Sequence, residues 1–174
     1  MSTQYLSGPL TRMGVIAAVI ACAIDQAMKL WLLYGFDIAN RGIVRLTPFF
    51  DLVLTWNTGI SYGLFPQESE FGRLVLLALK LCAVLVLWVW LARAESRLTA
   101  LSLGLIIGGA LGNAVDRLAY GAVLDFALFH ITTPTFNFTW YVFNLADAAI
   151  VAGVAGLLYE SLLGGSPQKR PDPP

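Results

Sequence analysis

Four stretches of the chain are apolar for long enough to cross a bilayer, which takes about 20 residues of helix. They run from about Gly14 to Phe36, Leu74 to Ala92, Leu98 to Arg117 and Trp140 to Leu163. Between the first two the period changes. Phe50 to Trp56 shows rough alternation, with Phe50, Leu52, Leu54 and Trp56 on one face, which is a strand pattern. Asn57-Thr58-Gly59 reads as a turn and Pro66 ends the second arm, so an outer β region spans about 43–65. The 118–139 segment reads as an outer loop. The tail 164–174 holds four prolines and no periodic pattern, and it is expected to be mobile. The pattern predicts an all-α polytopic membrane protein, one membrane domain over 1–163. It has four transmembrane helices and a small extracytoplasmic β-sheet between helices one and two.

Orientation follows from the Lys and Arg residues of short loops. Arg12 precedes the first span, Arg93 and Arg97 lie between the second and third, and Lys169 and Arg170 follow the fourth. The 118–139 segment has neither residue type. Arg41, Arg45 and Arg73 weaken the contrast but lie in or beside a longer loop. Both termini are therefore expected in the cytoplasm, with 37–72 and 118–139 facing outward.

Composition narrows the function classes. Of 174 residues 57% are hydrophobic and 13% charged, with a mean hydropathy of +0.71. A soluble domain carries roughly a quarter charged residues. The net charge is zero and the 11 basic residues are scattered, so no nucleic-acid partner is indicated. Cys22 and Cys82 both sit in apolar runs, which indicates neither a disulfide framework nor a metal site.

Against this background the ionisable groups within the spans stand out, because each costs about 2.5–3.5 kcal/mol to insert. Asp25 and Lys29 lie one turn apart on the first span. Asn113, Asp116 and Arg117 share a face at the outer end of the third, and Asn144 and Asp147 lie near the outer end of the fourth. Three helices thus bring polar groups to one depth, which points to a site. The bland alternative is that these groups only lock helices together. Lys80 stands alone on the second span and receives no role. Gly104, Gly108 and Gly112 form a small-residue row expected to clamp spans three and four.

Asp125 lies just outside the third span, so two carboxyl groups, Asp125 and Asp147, are expected near the outer interface. In an apolar setting one keeps a proton and polarises a carbonyl, while the other activates water. That is aspartic-protease chemistry, with no metal and no cofactor. The single histidine, His130, leaves a His-based zinc site short of ligands. Ser61 has no evident base partner.

These residues resemble a known family. Asp25-Gln26-Ala27-Met28-Lys29 is similar to the D-Q-x-x-K box of the lipoprotein signal peptidases, the signal peptidase II type. Asn57-Thr58-Gly59-Ile60-Ser61-Tyr62 resembles their N-x-G-x-[SA]-[FY] loop. Gly109 to Arg117 resembles G-x-x-G-N-x-x-D-R, Val123 to Phe126 V-x-D-F, and Phe143 to Asp147 F-N-x-A-D. The five motifs come in family order along nearly the whole chain. The resemblance implies a membrane aspartyl endopeptidase of the bacterial inner membrane, working as a monomer. It would cleave a prolipoprotein before a diacylglyceryl-modified cysteine, with membrane lipid around it. By motif position Asp125 and Asp147 would be catalytic. Asp25, Lys29, Asn57, Gly59, Asn113, Asp116, Arg117 and Asn144 would support them or bind substrate. One departure is Ala148, where the family usually has Ser. Two rival readings use the same charges: an ion-coupled transporter or proton channel, and a non-enzymatic assembly factor.

Overall fold

A computed structural model describes residues 6–58 and 82–163. Gly59, Ser61, Lys80 and the first part of the expected second span lie outside the described residues, as does the 164–174 tail. Helix α1 covers Thr11–Leu30 and continues through one π turn, Trp31–Gly35. Strands β1, Val44–Thr47, and β2, Phe50–Asn57, follow. Helix α2 is Cys82–Ala92 and α3 is Arg97–Tyr120. Strands β3, Val123–Thr132, and β4, Asn137–Thr139, precede α4, Leu145–Leu163.

Among the described residues three helices are long and apolar enough to cross a membrane: 25 residues from Thr11 to Gly35, 24 in α3 and 19 in α4. At 1.5 Å per residue they measure about 37, 36 and 28 Å, against a hydrocarbon layer about 30 Å thick. Val19, Ile24, Val151 and Leu162 are exposed, as a lipid-facing surface allows. Ser96 caps α3, its hydroxyl accepting from the Thr99 N–H at 3.0 Å. Gly121 ends α3 at φ +75°, a left-handed conformation that glycine adopts without a Cβ penalty.

Glycine lets the helices approach, though not across the expected pair. A Cβ on Gly104 would fall on the Gly14 carbonyl, and one on Gly108 on the Ala18 carbonyl. A Cβ on Gly112 would come within 2.8 Å of Asp25 Oδ2. That row therefore faces mainly α1, with Gly112 alone also reaching α4, where a Cβ would lie 3.5 Å from the Ala146 Cβ. Helix α4 meets α3 at Gly109, where a Cβ would fall on the Ala146 carbonyl, and at Gly153, where a Cβ would come within 2.6 Å of Ile106 Cγ1. A stripe spaced by four selects a face of its own helix, and only packing selects the partner.

The sheet also departs from expectation. Its four antiparallel strands run in the order β1-β2-β3-β4. Strands β3 and β4 arise from the 118–139 segment read as a loop. The expected small sheet is present beside the apolar helices, but it draws strands from two connections, helix one to two and helix three to four, not only the first. Val123 to Ala127 are buried throughout, and apart from Asp125 every one of these residues is apolar, so no alternation marks the strand. Leu124, Phe126 and Ala127 pack with Leu32 of the π turn, with Ile38 in the short 3-10 turn that follows, and with Phe50, Leu52 and Leu54 of β2. This small core ties the sheet to the bundle.

Register decides which side chains reach the site. Leu52 faces Ala127, but Thr55 faces Asp125, so three steps along β2 match two along β3. The extra residue is a β-bulge, and one residue of slip exchanges the faces of a strand. Regular pairing would have set Leu54 and Trp56 beside Asp125. The bulge brings Thr55 and Asn57 there instead, so the predicted Phe50–Leu52–Leu54–Trp56 face breaks after Leu52.

The fourth span was expected from Trp140, but α4 begins at Leu145. Phe143 is held by strand-like pairing to Ala127, with N–H to carbonyl bonds of 3.0 and 2.8 Å in the two directions. Asn144 and Asp147 then cap the helix reciprocally. The Asp147 N–H donates to Asn144 Oδ1 at 2.9 Å and the Asn144 N–H donates to Asp147 Oδ2 at 3.2 Å.

Candidate active site

Two carboxyl groups from different elements meet at this junction: Asp125 from β3 and Asp147 from the first turn of α4. Asn144 connects them. Its Nδ2 donates to Asp125 Oδ1 at 2.6 Å, while its backbone and Oδ1 engage Asp147 in the capping box. Asn144 is 0% exposed and Asp125 2%, so neither can trade these bonds for water. Asn57 Nδ2 donates to the other Asp125 oxygen at 2.9 Å, across the strand pair that the bulge realigns. Asn113 Nδ2 donates to Asp147 Oδ1 at 2.8 Å, and Asn113 Oδ1 accepts from Asn144 Nδ2 at 3.0 Å. Every oxygen of the two carboxyl groups therefore has an N–H donor.

Burial pushes the Asp125 carboxyl above its ordinary value of 3.8. The Asn57 amide opposes that rise, the charge of Asp147 adds to it, and Asn144 and Lys29 oppose it.

Beneath this layer lies a buried ionic cluster. Lys29 Nζ stands 2.7 Å from Asp25 Oδ2 and 2.7 Å from Asp116 Oδ2. It also donates to Asn113 Oδ1 at 3.4 Å, which links the cluster to the layer above. Gln26 Nε2 donates to Asp116 Oδ1 at 2.8 Å and to the Gly112 carbonyl at 3.0 Å. Burying charge is costly unless it is paired and hydrogen-bonded, and here each group is both.

The structure thus brings Asp25, Lys29, Asn57, Asn113, Asp116 and Asn144 around Asp125 and Asp147. Arg117 takes a different place: its guanidinium donates to the Asn113 carbonyl at 3.1 Å, and its charge acts on Asp125 and Asp147. Asp116 pairs with Lys29. Gly59 lies outside the described residues. Gln26 and several residues lining the adjacent cavity lie outside the candidate set read from the sequence. Gln26 was quoted only as part of a box, although its adjacency to Asp25 within one motif was the available signal. Tyr141 belongs to none of the five motifs. It lines a cavity of about 510 Å³ with Thr55, Asn57, Thr58 and Asp125. His130 faces Asp51 across the sheet at 3.1 Å, away from these groups.

Comparison with known proteins gives a consistent picture. Residues 17–163 match the family described as signal peptidase (SPase) II. A lipoprotein signal peptidase from Rhodopseudomonas palustris strain TIE-1 is 58% identical over 160 residues, covering 92% of this chain and 98% of the relative. One from Nitrobacter hamburgensis is 60% identical with the same coverage. A solved structure described as a bacterial membrane enzyme, obtained by the in meso method, superposes with a TM-score of 0.71. It covers 93% of this chain and 99% of its own at 22% identity, so it speaks for the fold.

Proposed function

Because this chain belongs to the signal peptidase II family, we propose that Asp125 and Asp147 are the catalytic pair of its proteolysis. The protein is a lipoprotein signal peptidase, a membrane aspartic peptidase of bacteria, and its substrate is a prolipoprotein. The observation that carries the residue assignment is the sharing of Asn144 between the two carboxyl groups. It couples them in a buried site where only one proton is held easily.

In this reading the pair shares one proton, burial of the Asp125 carboxyl favours that residue as its holder, and Asp147 acts as the base. Asp147 takes a proton from water as its oxygen attacks the scissile carbonyl carbon. Asp125 gives its proton to the carbonyl oxygen, and a gem-diol forms. Collapse returns one gem-diol proton to Asp125 while Asp147 protonates the leaving nitrogen, and the C–N bond breaks. The asparagine donors and the Arg117 charge hold the pair in register throughout.

The finer features of the substrate follow the same reading. Its cysteine carries diacylglycerol, and the peptide bond before that cysteine is cut. A groove of about 720 Å³, walled by Ile16, Ile20 and Ile24 of α1, Leu105 of α3 and Ala149 of α4, suits an apolar signal helix or acyl chains. The enzyme works as a monomer with four spans. Both termini are cytoplasmic and the pair lies near the outer face. The transporter or proton-channel reading has no support, since the family is one of peptidases.

The test is cleavage of a diacylglyceryl precursor by purified Asp125→Asn and Asp147→Asn. Both variants are expected to fold and to lose turnover, because each carboxyl has its own proton to move. Substantial activity in either would sink the assignment.

A further inference from the structure

The ionic cluster under the site touches the chain at two telling points. Asp116 Oδ2 accepts from the backbone N–H of Leu124 at 3.1 Å, and Leu124 immediately precedes Asp125. Asp25 Oδ1 accepts from the backbone N–H of Ala146 at 2.9 Å, and Ala146 immediately precedes Asp147. These two backbone donors lie in different elements, β3 and α4, 22 residues apart in sequence. Lys29 then sits 2.7 Å from both acceptor carboxylates, and Gln26 Nε2 reaches both, at 2.8 Å to Asp116 Oδ1 and 3.3 Å to Asp25 Oδ2.

We propose that Asp25, Gln26, Lys29 and Asp116 form a bracket that sets the separation of Asp125 and Asp147 by holding the backbone N–H groups of Leu124 and Ala146. The proposal rests on the reading of Asp125 and Asp147 as the catalytic pair. The four side chains are positioning residues, since each acts through the backbone beneath a carboxyl group. Two features make the bracket stiff. Asp25 is 0% exposed, Lys29 2% and Asp116 1%, so water cannot replace the links among these three, while Gln26 is half-buried. Gly112 leaves room for it: its carbonyl accepts from Gln26, and any side chain there would collide with Asp25. A helix-locking cluster would need only charge pairing. In this one an oxygen of each carboxylate accepts from the backbone N–H of the residue just before a reacting one.

The distinction is testable because Asn keeps an acceptor oxygen while removing the charge, whereas Leu removes both. We compare Asp25→Asn with Asp25→Leu, and Asp116→Asn with Asp116→Leu, on one lipidated precursor, with melting temperatures measured alongside. The expected result is a kcat loss of about 100-fold in the Leu variants with KM nearly unchanged, and rescue to within about tenfold by Asn, since misplacement by about 1 Å costs that much. Equal kcat losses for Asn and Leu would overturn the bracket and leave charge pairing as the role. Gln26→Leu keeps every charge and serves if the Leu variants fail to fold. It removes the donor shared by Asp116, Asp25 and the Gly112 carbonyl and should lower kcat by about tenfold, with KM unchanged. Wild-type kcat in Gln26→Leu would overturn the proposal as well. Asp125→Asn and Asp147→Asn are assayed in parallel. Activity there would remove the catalytic pair, whereas inactivity there with equal Asn and Leu losses would remove only the bracket.

Discussion

Asn144 Nδ2 donates to Asp125 Oδ1 at 2.6 Å, a bond made between two buried side chains on opposite sides of the sheet–helix junction. The same residue starts α4 and caps it with Asp147. One asparagine therefore ties the strand that carries one carboxyl group to the helix that carries the other.

Asn144→Leu should be more damaging than its size suggests. It removes the donor to Asp125 and the cap acceptor for the Asp147 N–H, and each buried group left unpaired costs about 1–3 kcal/mol. The expected outcome is a kcat at least about 100-fold lower, with a lower melting temperature. Cleavage kinetics and a thermal melt on the same preparation check it. Near-normal kcat would show that the two carboxyl groups find their positions without Asn144.

The raised Asp125 carboxyl has a signed pH signature. Because its folded value lies above 3.8, it stabilises the fold fully below 3.8, and that contribution is lost as pH rises through the folded value. The melting temperature of the wild type relative to Asp125→Asn should therefore fall across that window. For activity, the pair must retain one proton, so kcat declines on the alkaline side as that proton leaves. Asn57 opposes the rise, hence Asn57→Leu should move the alkaline limb to higher pH. A limb that stays put or moves down would contradict the Asn57–Asp125 link.

Gly112→Ala and Gly121→Ala separate a close approach from a backbone requirement. At Gly112 the new Cβ would lie 2.8 Å from Asp25 Oδ2, so overpacking should cost about 1–3 kcal/mol and disturb catalysis. At Gly121 nothing lies within 4 Å, but φ is +75°, so Ala should cost about 1 kcal/mol with kcat unchanged. Melting temperatures and kcat of the two variants, side by side, decide the matter.

Lipid on the substrate should act through positioning. Two acyl chains bury many methylenes at about 0.8 kcal/mol each and hold the precursor in the membrane plane. A diacylglyceryl precursor should be cleaved at least about tenfold faster than the same unlipidated precursor in one lipid mixture at equal surface density. Equal rates would refute lipid-directed placement.

Much of this was legible along the chain because it is local. The long apolar runs that became α1, α3 and α4 announce themselves by length, and one helical turn joins Asp25 to Lys29. The motif order carried the family resemblance, and the site residues it implied include those around the two carboxyl groups except Gln26 and the cavity-lining Tyr141, Thr55 and Thr58. What the sequence could not decide rests on contacts between distant segments. The pairing of β2 with β3 joins residues about 70 positions apart, and the bulge between Leu52 and Thr55 leaves no mark on local hydrophobic period. Yet that bulge turns Asn57 toward Asp125. The start of α4 at Leu145 depends on Phe143 being held by Ala127, although the Asn144–Asp147 spacing hinted at a cap. The glycine row of α3 faces mainly α1 because side-chain period selects a face and only packing selects its neighbour. The bonds from Asp25 to Ala146 and from Asp116 to Leu124 run from side chain to backbone, and backbone donors are the same at every non-proline residue. No sequence pattern can single them out, so only the folded chain reveals them.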